Sequence, residues 1–171
     1  LQEAAAQADI VITSGGVSVG EEDHVKAAVE IEGRLTLWKV AMKPGKPLAF
    51  GEVGKAFFLG LPGNPVSAFV TFSLFVRPFL LRCQGVQKVA PLRFKVSADF
   101  DWKKAGERRE FLRAKLRHDD GGIPFAALYP NQGSGVLTSA AWADGLVEIR
   151  EHTTVARGDA VTFIPFGELL G

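Results

Sequence analysis

The sequence predicts an α/β domain followed by a small all-β domain built as a barrel or sandwich. Two observations carry that prediction. The first half alternates short β-branched runs with glycine loops and helix signals, the pattern of strands whose ends carry ligand chemistry. Beyond about residue 88 the chain breaks into short strands separated by turn residues, the mark of a barrel or sandwich. With 171 residues, 47% hydrophobic and 23% charged, there is enough apolar material for one ordinary domain or two small ones.

Leu1 to Ala8 reads as the tail of an alanine-rich helix that leads straight into a strand, and this predicts a piece of a longer protein. Asp9 to Thr13 is apolar, β-branched and followed by Ser14-Gly15-Gly16, which suits a buried parallel strand entering a glycine loop. His24 to Ile31 places Val25, Ala28 and Val29 near helical spacing, with Gly33 as a stop. Leu35 to Val40, Pro47 to Phe50 and Lys55 to Leu59 are strands, the last two linked by a turn over Gly51 to Gly54. Asn64 is placed as an N-cap and Pro65 as the first residue of a helix that runs to about Cys83, kinked or divided at Pro78. The domains are predicted as 1–88 and 89–171. The second holds strands over Arg93 to Phe100, Arg109 to Arg117, Ile123 to Tyr129, Gly145 to Arg150 and Ala160 to Ile164.

Bulk features exclude several classes. A net charge of +1 provides no footprint for nucleic acid or an anionic membrane. The longest apolar run, Val66 to Leu81, is interrupted by Arg77-Pro78 and reads as too short to span a bilayer. One cysteine, Cys83, allows no internal disulfide and suits a reducing cytoplasm; its place near the end of an apolar helix predicts a small core residue. His24, His118 and His152 lack ligand spacing. Neither a P-loop nor a glycine-flanked serine nucleophile occurs.

Three loops remain as candidates for chemistry. Ser14-Gly15-Gly16-Val17-Ser18-Val19-Gly20 offers backbone N–H groups and two hydroxyls to an anion, with Glu21-Glu22-Asp23 just beyond. Asp23 there either holds Mg²⁺ against a phosphate or, the commoner use of such a residue, caps the next helix. Lys39 to Pro47 carries Lys39, Lys43 and Lys46 on a turn stiffened by Pro44-Gly45 and Pro47, so it forms an oxyanion clamp or a solvated turn. Gly60-Leu61-Pro62-Gly63-Asn64-Pro65-Val66-Ser67 brings unpaired N–H groups to a helix start. In the β domain, Arg109, Arg113, Lys115 and Arg117 share one face of a strand and Leu112, Ala114 and Leu116 the other. That cationic face is either solvated or reaches an anion pocket between the domains.

These three runs, in this order and spacing, resemble the MoeA-type molybdopterin molybdenumtransferase family, to which gephyrin and its plant counterparts are related. Arg108 to Ala114 and Gln132 to Leu137 resemble that family's C-terminal β domain, so the similarity spans essentially the whole chain. The resemblance implies part of a three-layer αβα molybdopterin-binding (MogA-like) domain followed by a small C-terminal β-barrel domain. It implies insertion of molybdate into adenylated molybdopterin with release of AMP and use of Mg²⁺, in a cytoplasmic homodimer whose second partner is the molybdopterin adenylyltransferase. Carried over residue by residue, Asp23 holds the metal and adenylate end, and Asp23, Lys39 and Lys43 are the catalytic set. Substrate contacts fall to Ser14, Gly15, Gly16, Ser18, Lys46, Pro62, Gly63, Asn64, Pro65 and Ser67, joined by Arg113 and Ser139 as molybdate contacts from the β domain. Family proteins are about twice this length or more, so the isolated chain is expected not to turn over. Two other readings stand beside this one: a non-catalytic molybdopterin-binding or scaffolding module, and a molybdopterin adenylyltransferase, which lacks the appended β domain.

Overall fold

The computed structural model describes residues 1–17 and 24–170. A four-stranded sheet and a five-stranded closed barrel follow one another along the chain. The first sheet has the order β1 (Ile10–Ser14), β5 (Ala56–Leu61), β4 (Pro47–Val53), β2 (Gly33–Lys39). β1 and β5 are parallel, as expected of the first strand, while β4 and β5 form the antiparallel pair that the turn between them suggested and β4 with β2 is antiparallel as well. Strand alternation gives the sheet two apolar faces. Ala49, Val53 and Phe58 meet Val29 of α2 (His24–Glu32) and Ala5 of α1 (Gln2–Gln7) on one side. Leu48, Leu59 and Leu61 meet Val76, Phe72 and Phe79 of the long helix on the other. Helices on both faces make this unit a three-layer αβα domain.

The long helix runs from Pro65 to Cys83 as α3 (Pro65–Thr71), a π turn over Phe72–Val76, and α4 (Arg77–Cys83). The kink expected at Pro78 is resolved in this way: the wider π turn ends two residues before the proline, where its ring would otherwise crowd the carbonyl one turn back. The helix exceeds the apolar run that the sequence marked. By length and composition it could cross a bilayer; here it is the layer between the sheet and the barrel. Cys83 at its end is exposed, not a core residue, because the last turn extends past both sheets. α2 stops at Glu32, just before Gly33 as expected, and Gly33 itself begins β2; β4 continues to Val53, which moves the hairpin turn to Gly54–Lys55.

The barrel comprises β6 (Phe94–Ala98), β7 (Arg109–His118), β8 (Pro124–Leu128), β9 (Gly145–Ile149) and β10 (Ala160–Pro165). Its pairings run β7–β8–β6–β10–β9 and close through β9–β7. Val96, Ala98, Leu112, Ala114, Ala126, Val147, Val161 and Phe163 fill the interior. Three short elements had no signal in the sequence: β3 (Met42–Lys43), α5 (Thr138–Trp142) and α6 (Phe166–Leu170). A further apolar cluster joins the two units, with Met42, Val66 and Val70 on one side and Phe111, Leu146, Ile164 and Leu169 on the other. Phe69 of α3 and Phe166 of α6 meet edge to face across the same seam, 5.2 Å between centroids.

Candidate functional site

The first and third loops touch because their strands are parallel neighbours. β1 and β5 end in register at Ser14 and Leu61, so the chain leaves both strands side by side. Gly15 N–H donates to the Leu61 carbonyl at 2.9 Å, and Ser14 Oγ donates to the Pro62 carbonyl at 3.5 Å. Beyond that, two glycines face each other. A Cβ on Gly63 would lie 3.5 Å from Gly15 Cα, and Gly15 itself has φ +88°, so the corner is bare backbone at its closest approach. Ser18 and Asp23 lie outside the described residues, and with them the sequence's assignment of a metal ligand.

The second loop is anchored at three points. Val40 N–H donates to the Lys46 carbonyl at 3.0 Å and closes the turn. Gly45 (φ +107°) sits so tightly on the long helix that a Cβ would come within 2.4 Å of Thr71 Cγ2. The loop's own short strand, β3, pairs in parallel with β7, aligning Met42 with Arg109 and Lys43 with Glu110. Lys43 Nζ forms an ion pair with Glu110 Oε2 at 2.9 Å; the lysine is half exposed and the carboxylate nearly buried. Lys39 and Lys46 are exposed.

The third loop differs from its sequence reading in one respect. Asn64 occupies the N-cap position, but its side chain makes no cap bond. The N–H of Val66, one of the groups a helix start leaves unpaired, is taken by the Ser134 carbonyl of the barrel at 3.0 Å. Pro62, Val66 and Ser67 are buried, whereas Gly63, Asn64 and Pro65 are exposed.

Of the two readings left open for the cationic face of β7, solvated or reaching between the domains, Arg113 departs from the first. It is fully buried. Its Nε donates to Ser139 Oγ at 3.0 Å, Nη2 to the Gly133 carbonyl at 3.1 Å, and Nη1 to the Phe111 carbonyl at 3.5 Å. Ser139 Oγ in turn donates to the Val136 carbonyl at 2.6 Å. Burial pulls the Arg113 pKa down to about 10, still far above neutrality, so a cation rests among neutral acceptors. Its neighbours on that face fare differently: Arg109 bonds Glu148 and Glu151, Lys115 lies over the Trp142 ring, and Arg117 is exposed.

The geometry therefore brings Ser14, Gly15, Pro62 and Gly63 into one corner, and Arg113 and Ser139 into another that reaches the helix start at Val66. Two contributors were not singled out in the sequence. Glu110 was only a strand residue, since its partner Lys43 is distant along the chain. Gln132, which bonds the Arg113 backbone, was visible only inside the stretch Gln132 to Leu137.

An αβα domain with backbone corners at its strand ends, joined through an apolar seam to a closed five-stranded barrel, defines a two-domain α/β-plus-barrel protein. A family model for the "probable molybdopterin binding domain" matches residues 1–82, and one for the MoeA C-terminal region (domain IV) matches residues 95–166. The chain belongs to the MoeA-type molybdopterin molybdenumtransferase family. It is 42% identical over 170 residues to a molybdopterin molybdenumtransferase of Haemophilus influenzae, covering 98% of this chain and 42% of that protein. It is 39% identical over 151 residues to the molybdenum cofactor synthesis protein cinnamon of Drosophila melanogaster, covering 85% of this chain and 24% of that one. The crystal structure of a MoeA molybdopterin biosynthesis protein from Pyrococcus horikosii superposes with a TM-score of 0.73 at 31% identity, covering 96% of this chain and 39% of that chain. The chain thus spans about two fifths of the length of the Haemophilus relative, and corresponds to part of a transferase.

Proposed function

We propose that the full-length protein inserts molybdate into adenylated molybdopterin and releases AMP, in a Mg²⁺-dependent reaction. The observation that carries this reading is the meeting of the first and third loops at Gly15 and Gly63, on a helix that also seats the second loop. Bare backbone at a strand-end corner suits a phosphate, which backbone N–H groups approach closely. Ser14, Gly15, Gly16, Gly63 and Asn64 take the pterin phosphate, with Pro62, Pro65 and Ser67 shaping the floor and Ser18 adding a hydroxyl. Lys39, Lys43 and Lys46 bind molybdate, a tetrahedral dianion that point-charge ammonium groups suit. Arg113 spends three of its five N–H donors on the protein, and with Ser139 it biases the seam toward an anion from within.

Among the described residues no group of three or more His, Cys, Asp or Glu side chains forms a metal cluster. The assignment of Mg²⁺ to Asp23 and the substrate's own phosphates rests on the family resemblance. The division of the chain at residues 88 and 89, the cytoplasmic homodimer and the adenylyltransferase partner belong to the same reading, as does inactivity of this stretch alone.

The test is an assay of the purified full-length protein with adenylated molybdopterin, molybdate and Mg²⁺, reading AMP and finished cofactor. Lys46→Ala should raise the molybdate KM about tenfold or more, the loss of a charge-assisted hydrogen bond. An unchanged KM removes the second loop from the site. One observation favours a non-catalytic binding module instead: Lys43 is occupied by Glu110 and Arg113 by three protein acceptors. Pterin binding without AMP release would decide for that module.

A further inference from the structure

We infer that Gln132 is a positioning residue, and that its carboxamide makes the barrel loop from 129 to 137 a strap fixing the start of α3. The strap begins where regular pairing ends. β8 stops at Leu128, and the last β7–β8 pair is Ala114 with Leu128. One more backbone bond follows, Tyr129 N–H donating to the Arg113 carbonyl at 3.0 Å, and from there Gln132 extends the ladder with its side chain. Its Oε1 accepts from Arg113 N–H at 2.9 Å, and its Nε2 donates to the Arg113 carbonyl at 2.9 Å and the Tyr129 carbonyl at 2.9 Å. One carboxamide thus takes the Arg113 N–H, adds a second donor to a carbonyl that Tyr129 N–H already meets, and folds the loop back on itself.

That fold-back places the next residues. Gly133 N–H is taken by Asn131 Oδ1 at 2.9 Å, and the Gly133 carbonyl accepts from Arg113 Nη2 at 3.1 Å. With residues 132 and 133 pinned from two sides, the Ser134 carbonyl faces the other unit and accepts the Val66 N–H at 3.0 Å. Val66 is fully buried, so its N–H has no water to turn to, and losing Ser134 would leave a buried donor unpaired. The line of contact therefore runs from Gln132 through the Gly133–Ser134 backbone to the residue after Pro65, in the Gly60–Ser67 corner. No side chain of the strap need touch substrate for it to set that corner. The apolar seam cannot do this alone, since packing of Val66 and Val70 on Phe111 and Leu146 does not specify which carbonyl faces the helix start.

The experiment has two arms, and only the second rests on the function proposed above. In the full-length protein, amide hydrogen exchange compares Val66 with amides of β6 and β10 in the wild type, Gln132→Ala and Gln132→Glu. Gln132→Ala should accelerate Val66 about tenfold relative to those strands. Acceleration confined to Arg113 and Tyr129, with Val66 unchanged, overturns the inference, and so does a uniform rise at all amides. Gln132→Glu guards against a variant that fails to fold. As a carboxylate it keeps the acceptor but loses both donations, and on protonation it regains a donor. Val66 protection in that variant should therefore recover as pH falls through the carboxylate range; exchange without this recovery counts against the strap. In the second arm, Gln132→Ala should raise the KM for adenylated molybdopterin about tenfold with kcat within about twofold, the pattern of lost binding. Faster exchange at Val66 with an unchanged KM for adenylated molybdopterin leaves the strap standing and removes the pterin phosphate from this corner.

Discussion

The outer surface of the barrel offers two neighbouring regions built on one strand face, and they are stabilised by opposite means. Along β7, Arg109, Phe111 and Arg113 all point away from the barrel interior. At Arg109 the face is open, and charge organises it: Glu148 is held between Arg93 at 2.7 Å and Arg109 at 3.0 Å, and Glu151 lies 3.2 Å from Arg109. Two residues on, α3 and the loop from 129 to 137 cover the face, and Phe111 and Arg113 are buried. The same alternation yields half-exposed arginines paired around a nearly buried carboxylate at one end and an interdomain core at the other. What distinguishes them is the element that covers the strand, not the residues of the strand.

The largest expected effect lies in the seam. Phe111→Ala removes a nearly buried ring from the cluster that joins the units, and should cost about 3–5 kcal/mol in urea unfolding. Glu148→Gln, which removes a nearly buried charge from between two half-exposed arginines but keeps a hydrogen-bonding oxygen, should cost about 1–2 kcal/mol, and less in 1 M salt. Comparable costs for the two substitutions would abolish the contrast.

Arg113 tests the boundary between the regions, being a charge in the apolar one. Its fork meets three acceptors that diverge around it. Lysine keeps the charge but not the fork, so Arg113→Lys should lose about 2–3 kcal/mol by leaving acceptors unmet around a buried cation. Arg113→Met discards the desolvation cost along with the bonds and should be the milder change. If Lys is the better tolerated of the two, charge rather than geometry holds this corner. Its titration provides an independent check. With the folded pKa near 10, the unfolded chain holds that proton more tightly, so this group makes stability rise with pH only between about 10 and its ordinary value. Near neutrality it makes no slope at all.

The contrast also explains what could be read without coordinates. Strands β1, β4 and β5, the long helix and all five barrel strands announce themselves through local periodicity, which a segment carries wherever it packs. β3 could not, because two residues have no period and its partner, Arg109–Glu110, lies far along the chain. α5 and α6 are five residues each, too short for a helical repeat. Within the site, the glycine and proline corners were legible because backbone constraints are written in residue type: Gly15 and Gly45 both sit at positive φ. The Lys43–Glu110 pair and the burial of Arg113 were not, since each depends on what the barrel brings alongside. Alternation placed Arg113 correctly on the outward face and said nothing of the loop that covers it.

The smallest effect belongs to Glu151, at the open end. Its own backbone hydrogen bond, and then Arg109, hold its carboxyl below the usual carboxylate range. An acid depressed in the folded state contributes stability that is complete above its unfolded pKa and disappears as pH falls through the folded value. Glu151→Gln should therefore change nothing in the shape of the stability curve above about pH 5. Below that, the wild type should lose stability more steeply than the variant, with the difference shrinking as salt is added because the carboxylate and Arg109 both reach solvent. Arg109 gives no compensating slope in that range: Glu151 chiefly, and Glu148 with it, raise a pKa that already lies far above it. A difference that persisted in high salt would mean that this end of β7 is covered in solution, and that the division between an open and a sealed half of the strand is misplaced.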